Sequence, residues 1–155
     1  MNLILRMLWV WFLSLRRERL PVGVAESRLR LITLPNDLDV NLHMNNGRYL
    51  TIADLSRVDL FLRTGLVSVM RKEKWAPIIS AHTMDYKRSL KLFQRFEAVM
   101  QLTHWDDRHF YMSHQFLSGE RLVAEGTSVG VIRGREGVIA PARVLERLRG
   151  EGGIA

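Results

Sequence analysis

The chain has 155 residues, which is room for one globular domain and too little for two domains with separate cores. It contains no cysteine, and this excludes a disulfide-stapled scaffold, a cysteine-ligated metal centre and a cysteine nucleophile. With 23 Lys and Arg against 16 Asp and Glu, the net charge of +7 favours anionic partners such as nucleic acid, anionic lipid or a phosphate-bearing cofactor, without choosing among them.

An apolar run opens the chain. Only Arg6 and Ser14 interrupt it between residues 3 and 15, and a basic stretch follows at residues 16–19. A helix of this length measures roughly 20 Å, short of the roughly 30 Å hydrocarbon core of a bilayer. A cleaved signal peptide is disfavoured because the charges follow the apolar run. We therefore predict that residues 1–19 form an apolar and basic segment beside a domain at residues 20–155. This segment contacts a membrane surface or packs on its own domain or a partner subunit.

The next elements are a strand and a buried helix. Residues 28–34 alternate as a strand does, and residues 35–37 carry the Pro-Asn-Asp chemistry of a turn. Asn45 or Asn46 predicts the N-cap of a helix, and Gly65 predicts its end. Apolar positions cover more than one stripe of this helix, so we expect other structure on most of its sides.

The pattern then becomes strand-like after a short second helix at residues 66–74. A terminal helix is predicted at residues 141–149. Four strands are predicted between these helices, at residues 78–88, 96–105, 109–117 and 122–132. The order of elements indicates an α+β domain in which an antiparallel sheet of five or six strands wraps one long central helix.

A polar cluster lies immediately before the long helix. Asp39, Asn41 and His43 recur at every second position, and an extended loop would place them on one side. The N-terminus of the following helix adds free N–H groups and partial positive charge. Such a site can hold a base, a water and a polarised carbonyl group together. The alternative is a purely structural loop, because Asp and Asn are common in turns and caps.

These residues carry a resemblance to a known family. The run from Asp39 to Asn46, with Tyr49 ten residues after Asp39, resembles the hot-dog-fold thioesterases that act on acyl-CoA and acyl-ACP. Asp54 and Arg57 occupy positions that recur in the related 4-hydroxybenzoyl-CoA and short-chain acyl-CoA thioesterases. Residues 88–90 and 105–111 resemble the thioesterase-superfamily-member-six-like proteins. The resemblance covers residues 28–133.

The resemblance implies a hot-dog fold and hydrolysis of an acyl thioester to free acid and thiol. Asp39 would be the acid of the site, with Asn41 and His43 as polar neighbours. Substrate contacts would come from the helix N-terminus, its first turn and a basic strand: Asn46, Gly47, Arg48, Tyr49, Lys87 and Arg88. Ser89 and Leu90 stand where the plant acyl-ACP enzymes carry a second acid and a cysteine. This departure favours a rival function, a non-catalytic acyl-thioester or lipid-binding protein; a dehydratase or hydratase is a second rival.

The remaining polar groups predict neither a metal site nor a cofactor. Five polar residues lie in or near the turn between the predicted strands 96–105 and 109–117: His104, Asp106, Asp107, His109 and His114. Their spacing does not suit metal ligands, so we expect a hairpin with surface histidines there. Nucleic acid is disfavoured because the basic residues are scattered. The expected partners are an acyl-CoA or acyl carrier protein substrate and further copies of the chain, in a homodimer or homotetramer. The expected location is cytoplasmic, with residues 1–19 contacting the inner face of a membrane.

Overall fold

A computed structural model describes residues 3–22 and 26–150 as an α+β structure. Four helices are present: α1 (Leu3–Arg16), α2 (Asn46–Arg63), α3 (Leu66–Glu73) and α4 (Pro141–Gly150). The strands are β1 (Glu26–Ile32), β2 (Ala76–His82), β3 (Asp85–Tyr86), β4 (Arg95–Trp105), β5 (Phe110–Ser118), β6 (Arg121–Gly134) and β7 (Gly137–Ile139). A single 3₁₀ turn at Pro35–Asp37 follows β1, where the sequence predicts a turn.

The strands form one antiparallel sheet in the order β1-β4-β5-β6-β2, and the short strands β3 and β7 also pair with β6. Five long strands therefore make the path of the sheet, in agreement with the predicted five or six. The predicted strand at 78–88 is divided into β2 and β3 by Thr83 and Met84. Because β2 lies at one end of the order, it is an edge strand, and nearly all of its residues are exposed.

Helix α2 lies against the concave face of this sheet. The Asn45 side chain accepts a hydrogen bond from the Gly47 N–H at 2.8 Å, which makes Asn45 the N-cap. Gly65 takes a left-handed conformation with φ 82° and separates α2 from α3, as predicted. One apolar core joins α2 to the strands; its members include Tyr49, Ile52, Ala53, Leu60, Phe96, Met100, Met112 and Phe116. Burial on several sides explains why the apolar residues of α2 cover more than one stripe.

The N-terminal helix α1 packs on α2 and β1. Val10 is fully buried against Leu29 and Leu55, and the buried Ser14 hydroxyl donates a 2.7 Å hydrogen bond to Asp59. The opposite face of α1 is exposed and apolar; it consists of Ile4, Leu5, Leu8, Trp9, Trp11, Phe12 and Leu15, which we call the outer face. Within residues 3–22 and 26–150, no helix is both long enough and apolar enough to cross a bilayer.

Candidate functional site

The Asp39 loop closes on itself. The Asp39 N–H donates to the His43 carbonyl oxygen at 2.8 Å, and the Leu42 N–H donates to the Asp39 carbonyl oxygen at 3.1 Å. Oδ1 of Asp39 accepts hydrogen bonds from the Asn41 N–H at 2.8 Å and the His43 N–H at 3.3 Å. The half-buried carboxylate is therefore held in one orientation by the backbone of its own loop.

This geometry differs from the extended loop that the alternating pattern suggests. Leu42 has φ 59°, a left-handed conformation that reverses the chain between Asn41 and His43. Asn41 and His43 do meet Asp39, as expected, but the contacts run through their backbone N–H groups. A polar residue at every second position is compatible with a tight turn as well as with a strand. In this turn the N–H groups of Asn41 and His43 both donate to the Asp39 carboxylate.

The N-terminus of α2 follows the Asp39 loop directly. Asn45 accepts hydrogen bonds from two N–H groups of this turn. The Gly47 N–H donates to the Asn45 side chain, and the Arg48 N–H donates to the Asn45 carbonyl oxygen at 2.9 Å. Asn46 and Gly47 are exposed. The end of a helix of 18 residues carries partial positive charge, so this exposed turn favours a developing negative charge.

A buried ion cluster fixes the base of the site. Asp37 is fully buried and pairs with Arg6 of α1 at 2.7 Å and with Arg48 of α2 at 2.9 Å. Its carboxylate also accepts a 2.9 Å hydrogen bond from the Leu34 N–H. Burial acts to raise the pKa of Asp37, but the hydrogen bonds and the two guanidinium groups outweigh it and hold the pKa below its usual value. The guanidinium of Arg48 is thus occupied within the protein.

Two tyrosines flank the first turn of α2. The Tyr86 hydroxyl donates a 3.0 Å hydrogen bond to the Asn46 carbonyl oxygen. The Tyr49 ring is buried, edge-on to Tyr86 with centroids 5.3 Å apart and to Phe116 at 5.0 Å. Burial raises the pKa of Tyr49 to about 12, so its hydroxyl stays protonated at neutral pH. Tyr49 forms an apolar wall directly below the helix N-terminus.

The basic residues after β3 differ in what they can still bind. Lys87 forms ion pairs with Asp85 and with Glu125, the latter at 3.6 Å. Arg88 is exposed, and the hydrogen bond from its guanidinium to the Leu122 carbonyl oxygen is long, at 3.4 Å. Of the two residues predicted to meet a phosphate group, Arg88 keeps more of its binding capacity.

A second polar cluster lies between α2 and the sheet; the sequence analysis named Asp54, Arg57 and His114 separately but did not bring them together. Arg57 is buried, pairs with Asp54 and donates a 3.0 Å hydrogen bond to the Ser128 hydroxyl. His82 and His114 also contact Ser128, at 2.9 Å and 3.3 Å from their Nδ1 atoms. The separation of these residues in sequence left no local pattern by which to find them.

His114 corrects one prediction. It was expected on the surface of the β4–β5 hairpin, whereas its side chain is 1% exposed. On β5 it lies two strands from the edge and faces α2, and periodicity alone did not resolve which face of the strand is inward. His104 and His109 are in or near the hairpin turn as expected. Within residues 3–22 and 26–150, no group of three or more His, Asp or Glu side chains is arranged to hold a metal ion.

Comparison with known proteins assigns the family. Residues 33–148 match the family model described as Thioesterase-like superfamily. The chain is 35% identical over 150 residues to Protein THEM6 of Danio rerio, covering 93% of this chain and 70% of that protein. It is 41% identical over 87 residues to Protein THEM6 of Xenopus laevis, covering 56% of this chain and 42% of that protein. The chain thus matches less than half the length of the Xenopus relative.

The solved structures agree on the fold. The probable thioesterase YbaW from Escherichia coli superimposes with a TM-score of 0.74 at 19% identity, covering 83% of this chain and 99% of that chain. The predicted hot-dog fold and the predicted family are both confirmed. By its sequence match and by its fold, this chain is a member of the Thioesterase-like superfamily.

Proposed function

We propose that the protein hydrolyses an acyl thioester at the Asp39 loop and the N-terminus of α2. One observation carries this proposal: the Asp39 carboxylate is fixed through Oδ1 by two backbone N–H groups, immediately before a helix N-terminus that is exposed. A carboxylate and a helix N-terminus side by side supply the two groups that thioester cleavage requires. These are a proton acceptor or nucleophile, and a site for the oxyanion.

The reaction would proceed at the thioester carbonyl carbon. Asp39 either removes a proton from a water that attacks this carbon or attacks the carbon itself, and both routes end with cleavage of the C–S bond. The carbonyl oxygen faces the exposed first turn of α2, where the partial positive charge of the helix end stabilises its negative charge. Tyr49, buried beneath this turn against Phe116, supports the turn from the core. Asn41 and His43 hold Asp39 through their backbone, so their side chains are less important than Asp39.

Asp39→Asn tests this assignment. The substitution keeps the shape of the loop but removes the base or nucleophile, so thiol release should fall by on the order of a hundredfold or more. The assay measures free thiol from acyl-CoAs and acyl carrier proteins of graded chain length, with thermal melts to confirm folding. Asp107→Asn, in the exposed turn between β4 and β5, is the matched control and should retain full activity.

Two results would contradict the proposal. Equal rates in wild type and Asp39→Asn would remove Asp39 from the mechanism. A wild-type protein that binds acyl thioesters but releases no thiol would favour the non-catalytic binding function. The same panel identifies the carrier, and analysis of its acyl products detects a hydratase.

We also propose that the protein assembles as a homodimer or dimer of dimers. The edge strand β2 is exposed and apolar, with Pro77, Ile78 and Ala81 on the surface. An edge of this kind presents unpaired backbone groups that a second copy can pair with.

A contact with a membrane surface is proposed for the outer face of α1. Its seven large apolar side chains are 45–65% exposed, and Arg16 at the end of the helix lies 4.0 Å above the Phe12 ring. An apolar face with adjacent arginines suits the boundary between the headgroups and acyl chains of anionic lipid. Because the inner face of α1 is part of the protein core, point substitutions on the outer face test this contact better than removal of residues 1–19.

A further inference from the structure

A groove of about 780 Å³ lies between α1 and the end of the sheet where β1, β4 and β5 meet, and we call it the α1–β1 groove. Its volume is in the range of sites that bind small molecules. The side chains that line it include both apolar and cationic groups: Trp9, Ile32 and Leu117 are apolar, and Arg6, Arg30 and Arg95 are cationic. A ligand that fits this lining is amphipathic and carries negative charge.

The cationic side of the α1–β1 groove faces away from α2. In the pairing of β1 with β4, Ile32 lies opposite Arg95, and paired residues project to the same face of the sheet. Arg30 lies opposite Glu97 on that face, two residues along. Phe96 projects to the other face and belongs to the core that contains α2. Arg30 and Arg95 therefore lie outside the thioesterase site proposed above.

The three arginines differ in what they can still bind. Arg6 is buried, and its guanidinium is occupied by Asp37 and by the Ile32 carbonyl oxygen. Arg95 is exposed, and it forms no ion pair with a carboxylate of residues 3–22 or 26–150. An exposed guanidinium beside a groove can bind a phosphate or carboxylate through two parallel hydrogen bonds. Arg95 is thus the first anchor for an anion in the groove.

Arg30 supplies a second anchor. It is 86% exposed and donates from Nε to Glu97 at 3.0 Å, so its two terminal nitrogens remain for a phosphate. Glu97 also accepts from Arg28 at 2.6 Å, and its negative charge is therefore shared between two guanidinium groups. Arg30 and Arg95 are diagonal neighbours across β1 and β4, with Cβ atoms roughly 7 Å apart. Both side chains are long enough to meet the oxygens of one phosphate.

The apolar wall of the α1–β1 groove continues into the outer face of α1. Trp9 lines the groove and also belongs to the outer face, where its side chain is 45% exposed. Leu5 and Phe12, four residues before it and three after it, lie on the same side of the helix and are also exposed. A tryptophan with an apolar ring and a polar N–H suits the boundary between headgroups and acyl chains. Cations and a surface for hydrocarbon therefore lie side by side.

We propose, on the premise that the outer face of α1 contacts lipid, that the α1–β1 groove binds the headgroup of one anionic glycerophospholipid. The phosphate accepts hydrogen bonds from Arg95 and Arg30, and the acyl chains lie along Trp9 and the outer face. Phosphatidylglycerol suits this site better than phosphatidylcholine, because the choline cation would lie among arginines. Headgroup binding of this kind gives the membrane contact a selectivity for anionic lipid that an apolar face alone lacks.

A water-soluble lipid tests the groove without a membrane. Dihexanoyl phosphatidylglycerol is titrated as a monomer into the full chain, and binding is followed by calorimetry and by the indole N–H resonance of Trp9. We expect saturable binding that shifts this resonance, and at least tenfold weaker binding of dihexanoyl phosphatidylcholine. The variant Arg30→Gln/Arg95→Gln should bind phosphatidylglycerol about tenfold more weakly. Arg133→Gln/Arg135→Gln, at the end of β6 and in the turn after it, removes the same charge outside the groove and should match wild type.

The wild-type titrations need no variant and can refute the proposal alone. Equal affinity for the two lipids would overturn it, and so would equally tight binding of sn-glycerol 3-phosphate, which has no acyl chains. Equal weakening by both double variants would show attraction by net charge only and would also overturn it. Thermal melts confirm that the variants fold.

Thiol release separates this proposal from the proposed function. The Arg30→Gln/Arg95→Gln protein should release thiol from soluble acyl-CoA at the wild-type rate, and a loss of release would place these arginines in the thioesterase site and overturn the lipid groove. Selective binding of monomeric phosphatidylglycerol by a wild type that releases no thiol would support the groove and overturn thioester hydrolysis. Selective binding of the monomer without sedimentation on vesicles would support the groove and remove the membrane contact of α1.

Discussion

Replacing Arg6 with Met removes one charge from the buried cluster that joins α1 to the Asp39 loop. Met is of similar length and apolar, so the change tests the ion pair more than the packing. Truncating one member of a buried pair costs about 3–5 kcal/mol because the other charge stays buried without its partner. Asp37 keeps Arg48 and the Leu34 N–H, so we expect the lower end, about 3 kcal/mol.

Thermal denaturation measures this effect directly. For a chain of this size a loss of about 3 kcal/mol lowers the Tm by about 6–12 °C. Arg30→Met is the matched control: Arg30 also pairs with a carboxylate, Glu97 at 3.0 Å, but its side chain is 86% exposed. Exposed pairs of this kind contribute about 0–1 kcal/mol. Equal Tm values for the Arg6→Met and Arg30→Met proteins would refute the reasoning.

The pH dependence of stability provides an independent check. The folded-state pKa of Asp37 is depressed below its ordinary value of 3.8. A carboxyl group of this kind contributes stability above its unfolded pKa, and the contribution is lost as the pH falls from about 3.8 through the folded pKa. Arg6→Met should therefore show a weaker acid-induced loss of stability in this window than wild type. An unchanged acid profile would mean that Arg6 does not stabilise the Asp37 carboxylate.

Three further predictions concern other parts of the molecule. Gly126→Ala should destabilise the protein by about 3 kcal/mol in thermal melts, because a Cβ would overlap the Thr83 carbonyl oxygen and lie 2.6 Å from Nε2 of His114; unchanged stability would show that Thr83 moves freely. Asp54→Asn should lower the pKa of His82 in an NMR titration, because Asp54 raises that pKa, and a rise would contradict this sign. Leu8→Asp should reduce sedimentation with phosphatidylglycerol vesicles by roughly tenfold without lowering the Tm, and full retention would exclude the outer face as the lipid contact.

The fold was largely predictable because its signals are local. Asn45 and Gly65 mark the ends of α2 through cap and left-handed conformations that depend only on neighbouring residues. The long strands are stretches of alternating or continuous apolar residues that are bounded by turn-forming residues. Their positions were therefore predicted within a few residues. The division of the predicted strand 78–88 was missed because the end of β2 and β3 pair with β6 in one continuous register, and the interruption at Thr83 and Met84 has no turn signal in the sequence.

The candidate site was predictable only where its residues are contiguous. The Asp39 loop could be recognised as one motif, although its folded-back shape depends on the left-handed Leu42, a conformation that leucine rarely adopts. Asp37 was assigned only to a turn, because its partner Arg6 is 31 residues away. The contacts of Ser128 join four elements, and only the tertiary structure brings them together.

The same irregular edge strand also limits uncontrolled association. An exposed apolar strand can template open-ended stacking of copies into aggregates. Pro77 has no N–H to donate, and the shift between Ile79 and Ala81 breaks the regular spacing of the remaining backbone groups. At the opposite end of the sheet, β1 carries the charged side chains of Glu26, Arg28 and Arg30. Pairing at the β2 edge is therefore limited to one short, irregular contact and addition at the charged β1 edge is opposed, which favours an assembly that closes after a small number of copies.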